Sequence, residues 1–130
     1  MKIRYTVALS MVAGAALSGA AIQALHAQAK PKAYTISEIE TVDATAQGFG
    51  FYAALVRAAE SAAGGRSLHT AGGKLIALEG AAAPKIVAIT EWDSVEKAEA
   101  FYRSKAWVAL APQREKAIKT VRRYLVEAMN

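Results

Sequence analysis

The sequence has no cysteine among its 130 residues and only two histidines. Disulfide scaffolds, thiolate zinc sites, iron–sulfur clusters and thiol nucleophiles are therefore excluded. Because few metal-binding side chains remain and no G-x-G-x-x-G or G-x-x-x-x-G-K-[ST] motif occurs, we expect neither a metal site nor a cofactor. The apolar fraction, 54%, is too high and the charged fraction, 21%, too ordinary for a disordered chain, so we expect one folded domain.

The amino terminus has the three parts of a secretory signal peptide. Lys2 and Arg4 precede an uncharged stretch, Tyr5–Leu25, and small residues follow at Ala27 and Ala29. This order predicts a signal peptide over the first 29 residues, cleaved after Ala29 or after Ala27. A retained membrane anchor is the alternative, since about 20 uncharged residues can span a bilayer. The many Ala, Gly and Ser residues and the cleavage site favour cleavage, which predicts a periplasmic or secreted protein with no stable membrane span.

The remaining domain, residues 30–130, alternates between strand-like and helix-like segments. Strands are predicted over Ala33–Val42, Arg66–Ala71, Lys74–Leu78, Lys85–Trp92 and Val121–Ala128. Helices are predicted from Asp43 as N-cap to about Ala62, from the Asp93-Ser94-Val95-Glu96 capping box to Ser104, around Trp107, and from Pro112 to about Lys119. Two of the middle strands could form one bulged hairpin. The order predicts an α+β fold of the ferredoxin-like β-α-β-β-α-β type, with its helices on one face of the sheet.

The strands of this sheet are apolar on both faces. Ile86, Ala88 and Trp92 occupy one parity of the clearest strand, and Val87 and Ile89 occupy the other. Helices on one side would leave the second apolar face exposed, and such a face predicts an interaction site. Because a second copy of the same sheet is the simplest cover, we expect a homodimer with a shared interior.

A series of short motifs resembles a known family. In chain order they are Ala33-Tyr34, Gly64-Gly65-Arg66, Gly72-Gly73, Leu78-Glu79-Gly80, Glu91-Trp92-Asp93-Ser94, Phe101-Tyr102-Arg103-Ser104 and Arg114. Together they resemble the DUF1330 family of small uncharacterised bacterial proteins. The resemblance implies a dimeric α/β-barrel architecture, which is shared with antibiotic-biosynthesis monooxygenase-like domains. It implies no particular activity, because one fold supports many functions.

His69 is the candidate catalytic residue. It is the only histidine outside the predicted signal peptide, and a lone imidazole could act as a general base near neutral pH or bind a ligand carbonyl. The alternative is a partly buried histidine that is hydrogen-bonded for structural reasons. No serine hydrolase site is expected, because no G-x-S-x-G elbow accompanies Ser67.

Five further residues are candidates for ligand binding: Tyr34, Glu79, Trp92, Tyr102 and Arg114. The aromatic residues could line a pocket for a planar ligand, although such residues are more often part of the core. Glu79, like Glu91, could face a closed interior with a raised pKa, or could be ion-paired to Arg66, Lys74 or Arg114. Arg114 could bind a carboxylate or brace a helix against the sheet.

The sequence therefore predicts an exported homodimeric α/β-barrel protein that binds a small apolar or aromatic molecule in the barrel interior. The alternative is a cofactor-independent oxygenase or isomerase, in which His69 moves protons and Arg114 or a tyrosine stabilises an oxyanion. Nucleic acid is not an expected partner. The strand Lys85–Trp92 lacks the aromatic pattern with which RNA-recognition domains stack on bases, and export would separate the protein from nucleic acid.

Overall fold

The structure, a computed structural model, describes residues 30–129, and its elements lie in the unit Pro31–Asn130. The predicted signal peptide lies outside the described residues. The strands are β1 (Ala33–Thr41), β2 (Arg66–Ser67), β3 (Ile86–Trp92) and β4 (Ile118–Glu127). A π-helical turn (Ala46–Gly50) leads directly into α1 (Phe51–Ala62), and α2 (Val95–Tyr102), α3 (Lys105–Val108) and α4 (Ala111–Ala117) connect β3 to β4.

The four strands form one antiparallel sheet in the order β2-β3-β1-β4. Strand β1 is central and pairs with β3 from Ala33 opposite Trp92 to Ile39 opposite Ile86. Each crossover, β1 to β2 and β3 to β4, passes through helices. The chain thus has an α+β fold consistent with the ferredoxin-like type, as the sequence predicted.

All the helices of residues 30–129 pack on the sheet face that carries Trp92. This side chain is 0% exposed, and its indole Nε1 donates a hydrogen bond to Thr35 Oγ1 at 2.9 Å. Phe101 of α2 and Trp107 of α3 extend the cluster, with ring centroids 5.2 Å and 5.7 Å apart along the series Trp92–Phe101–Trp107. Aromatic pairs at these separations add stability beyond their buried area. The indole therefore anchors both helices to one end of the sheet.

The opposite sheet face carries no helix in the described part of the chain. Its side chains alternate with the helix-facing ones in the register, and they are Tyr34, Ile36, Glu38, Val87, Ile89, Arg122, Tyr124 and Val126. We call this set the open face. Tyr124 and Val126 are 45% and 46% exposed. The predicted apolar parity of Val87 and Ile89 thus lies on the uncovered side.

One extra residue interrupts the pairing of β4 with β1. Glu38 lies opposite Arg122, but the next residue, Ile39, lies opposite Thr120, so Val121 has no partner. Such a β-bulge shifts the alternation of every side chain on one side of it. Before the bulge the even-numbered residues Ile118 and Thr120 face the helices, and after it the odd-numbered Arg123 does.

The segment after β2 differs from the prediction. Strand β2 ends at Ser67 rather than Ala71, and Lys74–Leu78 forms no strand. His69 has a φ of 57°, in the left-handed region that breaks an extended chain. Backbone hydrogen bonding to β3 therefore ends at Leu68, whose N–H still donates to the Ile89 carbonyl at 2.9 Å.

The helix starts also differ in detail. Thr45, not Asp43, is the N-cap of the first helical segment, and its hydroxyl accepts a hydrogen bond from Gly48 N–H at 3.2 Å. Asp43 instead accepts hydrogen bonds from the backbone and side chain of Thr45. At α2 the cap is Ser94, which accepts from Lys97 N–H, rather than Asp93. The predicted acid lies two residues before the cap at Thr45 and one residue before the cap at Ser94, and in both places a hydroxyl makes the capping bond.

The contact between Gly65 and Trp92 yields a stability prediction. A Cβ at Gly65 would lie 2.8 Å from the Trp92 indole, whereas one at Gly72 would meet nothing within 4 Å. We expect Gly65→Ala to lower the free energy of unfolding by about 1–3 kcal/mol through overpacking. Gly72→Ala, the control, should change it by less than about 0.5 kcal/mol. Urea denaturation of both variants checks this, and equal midpoints would contradict the packing argument.

Candidate functional site

A cavity of about 340 Å³ lies between α1 and the helix-facing side of the sheet. Its walls are formed by Ser37, Ile39, Phe49, Gly50, Tyr52, Ala53, Val56, Arg57, Glu60, Ser67, His69, Thr70, Ala71, Gly72, Ala88, Ile89, Thr90, Tyr102, Trp107 and Arg123. Ile89 borders the cavity although its position in the register belongs to the open face. Apolar side chains form much of this lining, and a few polar groups converge on it. That combination is typical of small-molecule sites.

Helix α1 supplies one wall of the cavity through three residues spaced by four. Tyr52, Val56 and Glu60 lie on one stripe of the helix, because residues four apart are neighbours on a helix surface. Gly64, with a φ of 94°, ends the helix in the left-handed conformation that glycine tolerates. Because Glu60 continues the stripe of Tyr52 and Val56, its carboxyl group faces the sheet at a position where an apolar residue would be expected.

Glu60 is buried, with 6% of its surface exposed. Thr90 Oγ1 donates to Glu60 Oε2 at 3.1 Å, and the Tyr102 hydroxyl donates to Oε1 at 3.5 Å. Burial raises the pKa of Glu60 above its ordinary value, while the hydrogen bond from Thr90, the charge of Arg123 and the Tyr102 hydroxyl oppose that rise. A carboxyl group in such surroundings can act as an acid or a base.

Arg123 places a positive charge in the same cavity. Its Nε donates to Ser37 Oγ at 2.9 Å, across the β1–β4 pair. The guanidinium carbon lies 4.6 Å from the Trp107 ring centroid and 5.8 Å from that of Tyr102, within cation–π range. These contacts hold the Arg123 guanidinium on the helix-facing side of the sheet, in the cavity lining.

Two tyrosines add hydroxyl groups. Burial raises the pKa of Tyr102 to about 12 and also raises the pKa of Tyr52, which is 4% exposed. Both phenols therefore keep their protons at neutral pH and can donate hydrogen bonds.

The mouth of the cavity is formed by the segment that follows β2. Thr70 Oγ1 donates to the Val87 carbonyl at 2.7 Å, which ties this segment to the sheet edge. His69 is exposed there, and its backbone N–H donates to Ser67 Oγ at 3.1 Å. The candidate catalytic histidine thus lies at the rim of the cavity, and its role stays a prediction.

The five predicted ligand-binding residues do not converge on one site, although the rings of Trp92 and Tyr102 pack edge to face with centroids 6.2 Å apart. Tyr102 lines the cavity, but Trp92 is fully buried in the core and Glu79 is exposed in the loop before β3. Tyr34 lies on the open face, where its hydroxyl donates to Glu91 Oε2 at 3.2 Å. Arg114 is half-buried outside the cavity lining, with its guanidinium carbon 4.2 Å from the Trp107 ring centroid. That contact joins α4 to α3, so it braces one helix against another rather than against the sheet.

Glu91 belongs to an exposed ion-pair cluster at the end of β3. Arg66 Nε donates to Glu91 Oε1 at 2.9 Å, and this guanidinium is the main cause of the lowered pKa of Glu91. Hydrogen bonds from Lys32 and Arg66 lower the pKa of Asp93 to about 2. Glu91 therefore follows the ion-pair interpretation, with a pKa shift opposite to the one expected for a carboxylate in a closed interior.

Glu60 and Arg123, the carboxyl group and the cation of the cavity described above, were absent from the predicted site. Glu60 could have been found from its place on the apolar stripe of α1, four residues after Val56. Arg123 is hidden in the sequence, because the bulge at Val121 changes which residues of β4 face the helices. Within residues 30–129, no group of three or more acidic or histidine side chains could hold a metal ion.

Glu60 should make stability depend on pH. Its folded-state pKa is raised above 4.5, so its favourable contribution is complete below that pH and is lost as the pH rises through the folded pKa. Because glutamine cannot ionise, we expect Glu60→Gln to gain stability relative to the natural chain between about pH 5 and about pH 8. Urea denaturation at both pH values measures this, with the exposed Glu99→Gln as control. A gain that is the same at both pH values would contradict the assignment.

Comparisons with known proteins agree with this architecture. The crystal structure of the RPA0582 protein of unknown function from Rhodopseudomonas palustris superposes with a TM-score of 0.62 at 15% identity, covering 78% of this chain and 85% of that one. The methylated RPA0582 protein gives 0.60 at 15% identity, covering 78% and 83%. These likenesses concern the fold alone. A search of curated proteins finds no match. The family model for a domain of unknown function, DUF1330, matches residues 32–129, and the predicted resemblance is thereby confirmed: the chain belongs to the DUF1330 family.

Proposed function

We propose that this protein binds a small, largely apolar or aromatic molecule in the cavity between α1 and the sheet. The observation that carries the proposal is the cavity itself, in which apolar walls meet the buried carboxyl group of Glu60 and the cation of Arg123, while the exposed Arg57 also lies in its lining. Its volume, about 340 Å³, falls in the range of small-molecule sites. The sequence predicted a binding site in an interior shared by two copies of the sheet. The proposed site is instead a cavity within a single chain.

The polar groups define what such a ligand carries. Glu60 accepts a hydrogen bond from a ligand hydroxyl or amine, and Arg123 donates to a ligand oxygen. Phe49, Val56 and Trp107 pack against the rest of the molecule. An aromatic alcohol such as 2-naphthol combines a hydroxyl group, which can donate to Glu60 and accept from Arg123, with an apolar ring system. It therefore serves as the probe.

Ala53 offers a direct test of ligand binding. It lines the cavity, whereas its neighbour Ala54 is exposed outside the lining. We expect Ala53→Phe to fill the cavity and weaken binding of 2-naphthol by about tenfold or more, while Ala54→Phe leaves it unchanged. Titration followed by amide NMR shifts measures both affinities. Equal affinities of the two variants would refute binding in this cavity.

Export and dimerisation complete the proposal. The amino-terminal sequence supports export, and the mass of the chain recovered from the periplasm of a producing bacterium tests it. Cleavage after Ala27 or Ala29 is expected; an intact chain would contradict it. In residues 30–129, no helix is long and apolar enough to cross a membrane. The open face supports a homodimer, because Ile36, Val87 and Ile89 would be shielded by a second sheet.

The centre of the open face is the place to test the dimer. Ile36 lies between Ile89 and Tyr124 in the sheet register. A lysine there would bury charge in the interface, so we expect Ile36→Lys to sediment as a monomer. Val42→Lys, at an exposed position beyond the end of β1, should remain dimeric. Analytical ultracentrifugation at micromolar concentration decides, and a natural chain that is already monomeric would contradict the proposal.

The catalytic alternative, a cofactor-independent oxygenase or isomerase, has one observation in its favour. A carboxyl group that can take a proton and a cation that can stabilise an oxyanion line the same cavity. Of the two reactions, isomerisation requires no second substrate.

A further inference from the structure

We propose that Glu60 and Arg123 catalyse proton transfer at carbon, isomerising a small β,γ-unsaturated ketone to its conjugated isomer. Glu60 is the base that removes a proton beside the carbonyl, and Arg123 binds the oxygen that becomes negative. The inference rests on the proposed function, because the ketone must first bind in the cavity.

The position of Glu60 suits a base that acts on a bound molecule. Thr90 and Tyr102 each donate one hydrogen bond to it, one to each carboxylate oxygen. A carboxylate has about four acceptor sites, so each oxygen keeps one site for a substrate proton. The two donors fix the carboxyl group, and burial keeps bulk water from competing for it.

Arg123 is arranged to meet a developing oxyanion. In the described part of the chain, its one side-chain hydrogen bond runs from Nε to Ser37 Oγ. The terminal N–H groups of the guanidinium are left for a ligand oxygen. A fixed cation beside an apolar wall stabilises a negative oxygen more strongly than water does.

The chemical step balances within the substrate and Glu60. The C–H bond beside the carbonyl breaks, and its proton passes to a Glu60 oxygen. The electron pair forms a carbon–carbon double bond while the carbonyl oxygen takes the negative charge beside Arg123. Glu60 then returns the proton to the γ-carbon, and the carbonyl and conjugated double bonds form. No oxidant or cofactor is consumed.

The other ionisable groups in the cavity lining are Tyr52, Tyr102, His69 and the exposed Arg57 of α1. Burial raises the pKa of Glu60, which strengthens the carboxylate as a base. Tyr52 on the same helix and Tyr102 on α2 remain protonated, so they donate hydrogen bonds rather than compete for the proton. His69 lies at the exposed rim, on the loop after β2.

The test uses 3-cyclohexen-1-one and follows the ultraviolet absorbance of the conjugated product. We expect Glu60→Gln to slow isomerisation by about 100-fold or more. The exposed Glu99→Gln is its control. Arg123→Gln should also slow the reaction, whereas Arg122→Gln should not, since Arg122 pairs with Glu38 on the open face. If Glu60→Gln does not fold, the comparison of Arg123→Gln with Arg122→Gln still tests the proposal.

The outcomes separate this inference from the proposed binding function. Binding of 2-naphthol without isomerisation by the natural chain would overturn the inference and leave the binding function standing. So would an unchanged rate in both Glu60→Gln and Arg123→Gln, or failure of the ketone to displace 2-naphthol. If neither molecule binds, the proposed function fails first.

Discussion

The structure depends on one constraint: all the helices of residues 30–129 cover a single face of a four-stranded sheet. The hydrophobic core must therefore form on that side. It forms as two clusters, one around Trp92 and Phe101 and the other around Ile39, Tyr52 and Ile118. Between them, helix-facing positions of β1 and β3 hold the small side chains of Ser37, Ala88 and Thr90. Large residues at both ends keep α1 away from small residues in the middle, and the cavity is the space that results.

Glu60 occupies a position that core packing alone would give to an apolar residue. Burying its carboxyl group disfavours the charged form, and Thr90, Tyr102 and Arg123 compensate only in part, since the pKa remains raised. A buried carboxyl group beside an empty volume does not improve packing. Acidic groups whose pKa values are shifted by burial in a cavity occur most often at functional sites. We therefore connect the loss of stability caused by burying Glu60 with ligand binding.

Much of the fold follows from the sequence, because its signals are local and repeated. The alternation of Ile86 to Trp92, the glycines after α1 and Pro112 at the start of α4 each identify their element without tertiary contacts. The strand predicted at Lys74–Leu78 shows the limit of this reasoning. Its residues suit a strand, but the left-handed conformation at His69 ends the backbone pairing with β3 before this segment is reached. The candidate site was less predictable, since it depends on which residues of different elements meet around Glu60.

The bulge at Val121 determines what each face of β4 can do. With regular pairing from Thr120 onward, Val121 would lie opposite Glu38 and Arg122 opposite Ser37. The extra residue instead puts Arg122 beside Glu38, where two hydrogen bonds of 2.9 Å neutralise a carboxylate on the open face. The next residue, Arg123, then points to the cavity and reaches Ser37 and Trp107. Consecutive strand residues face opposite sides of the sheet, so the bulge determines the positions of both arginines. Arg122 pairs with the carboxylate of Glu38, which makes the open face compatible with burial, and Arg123 gives the cavity a positive charge.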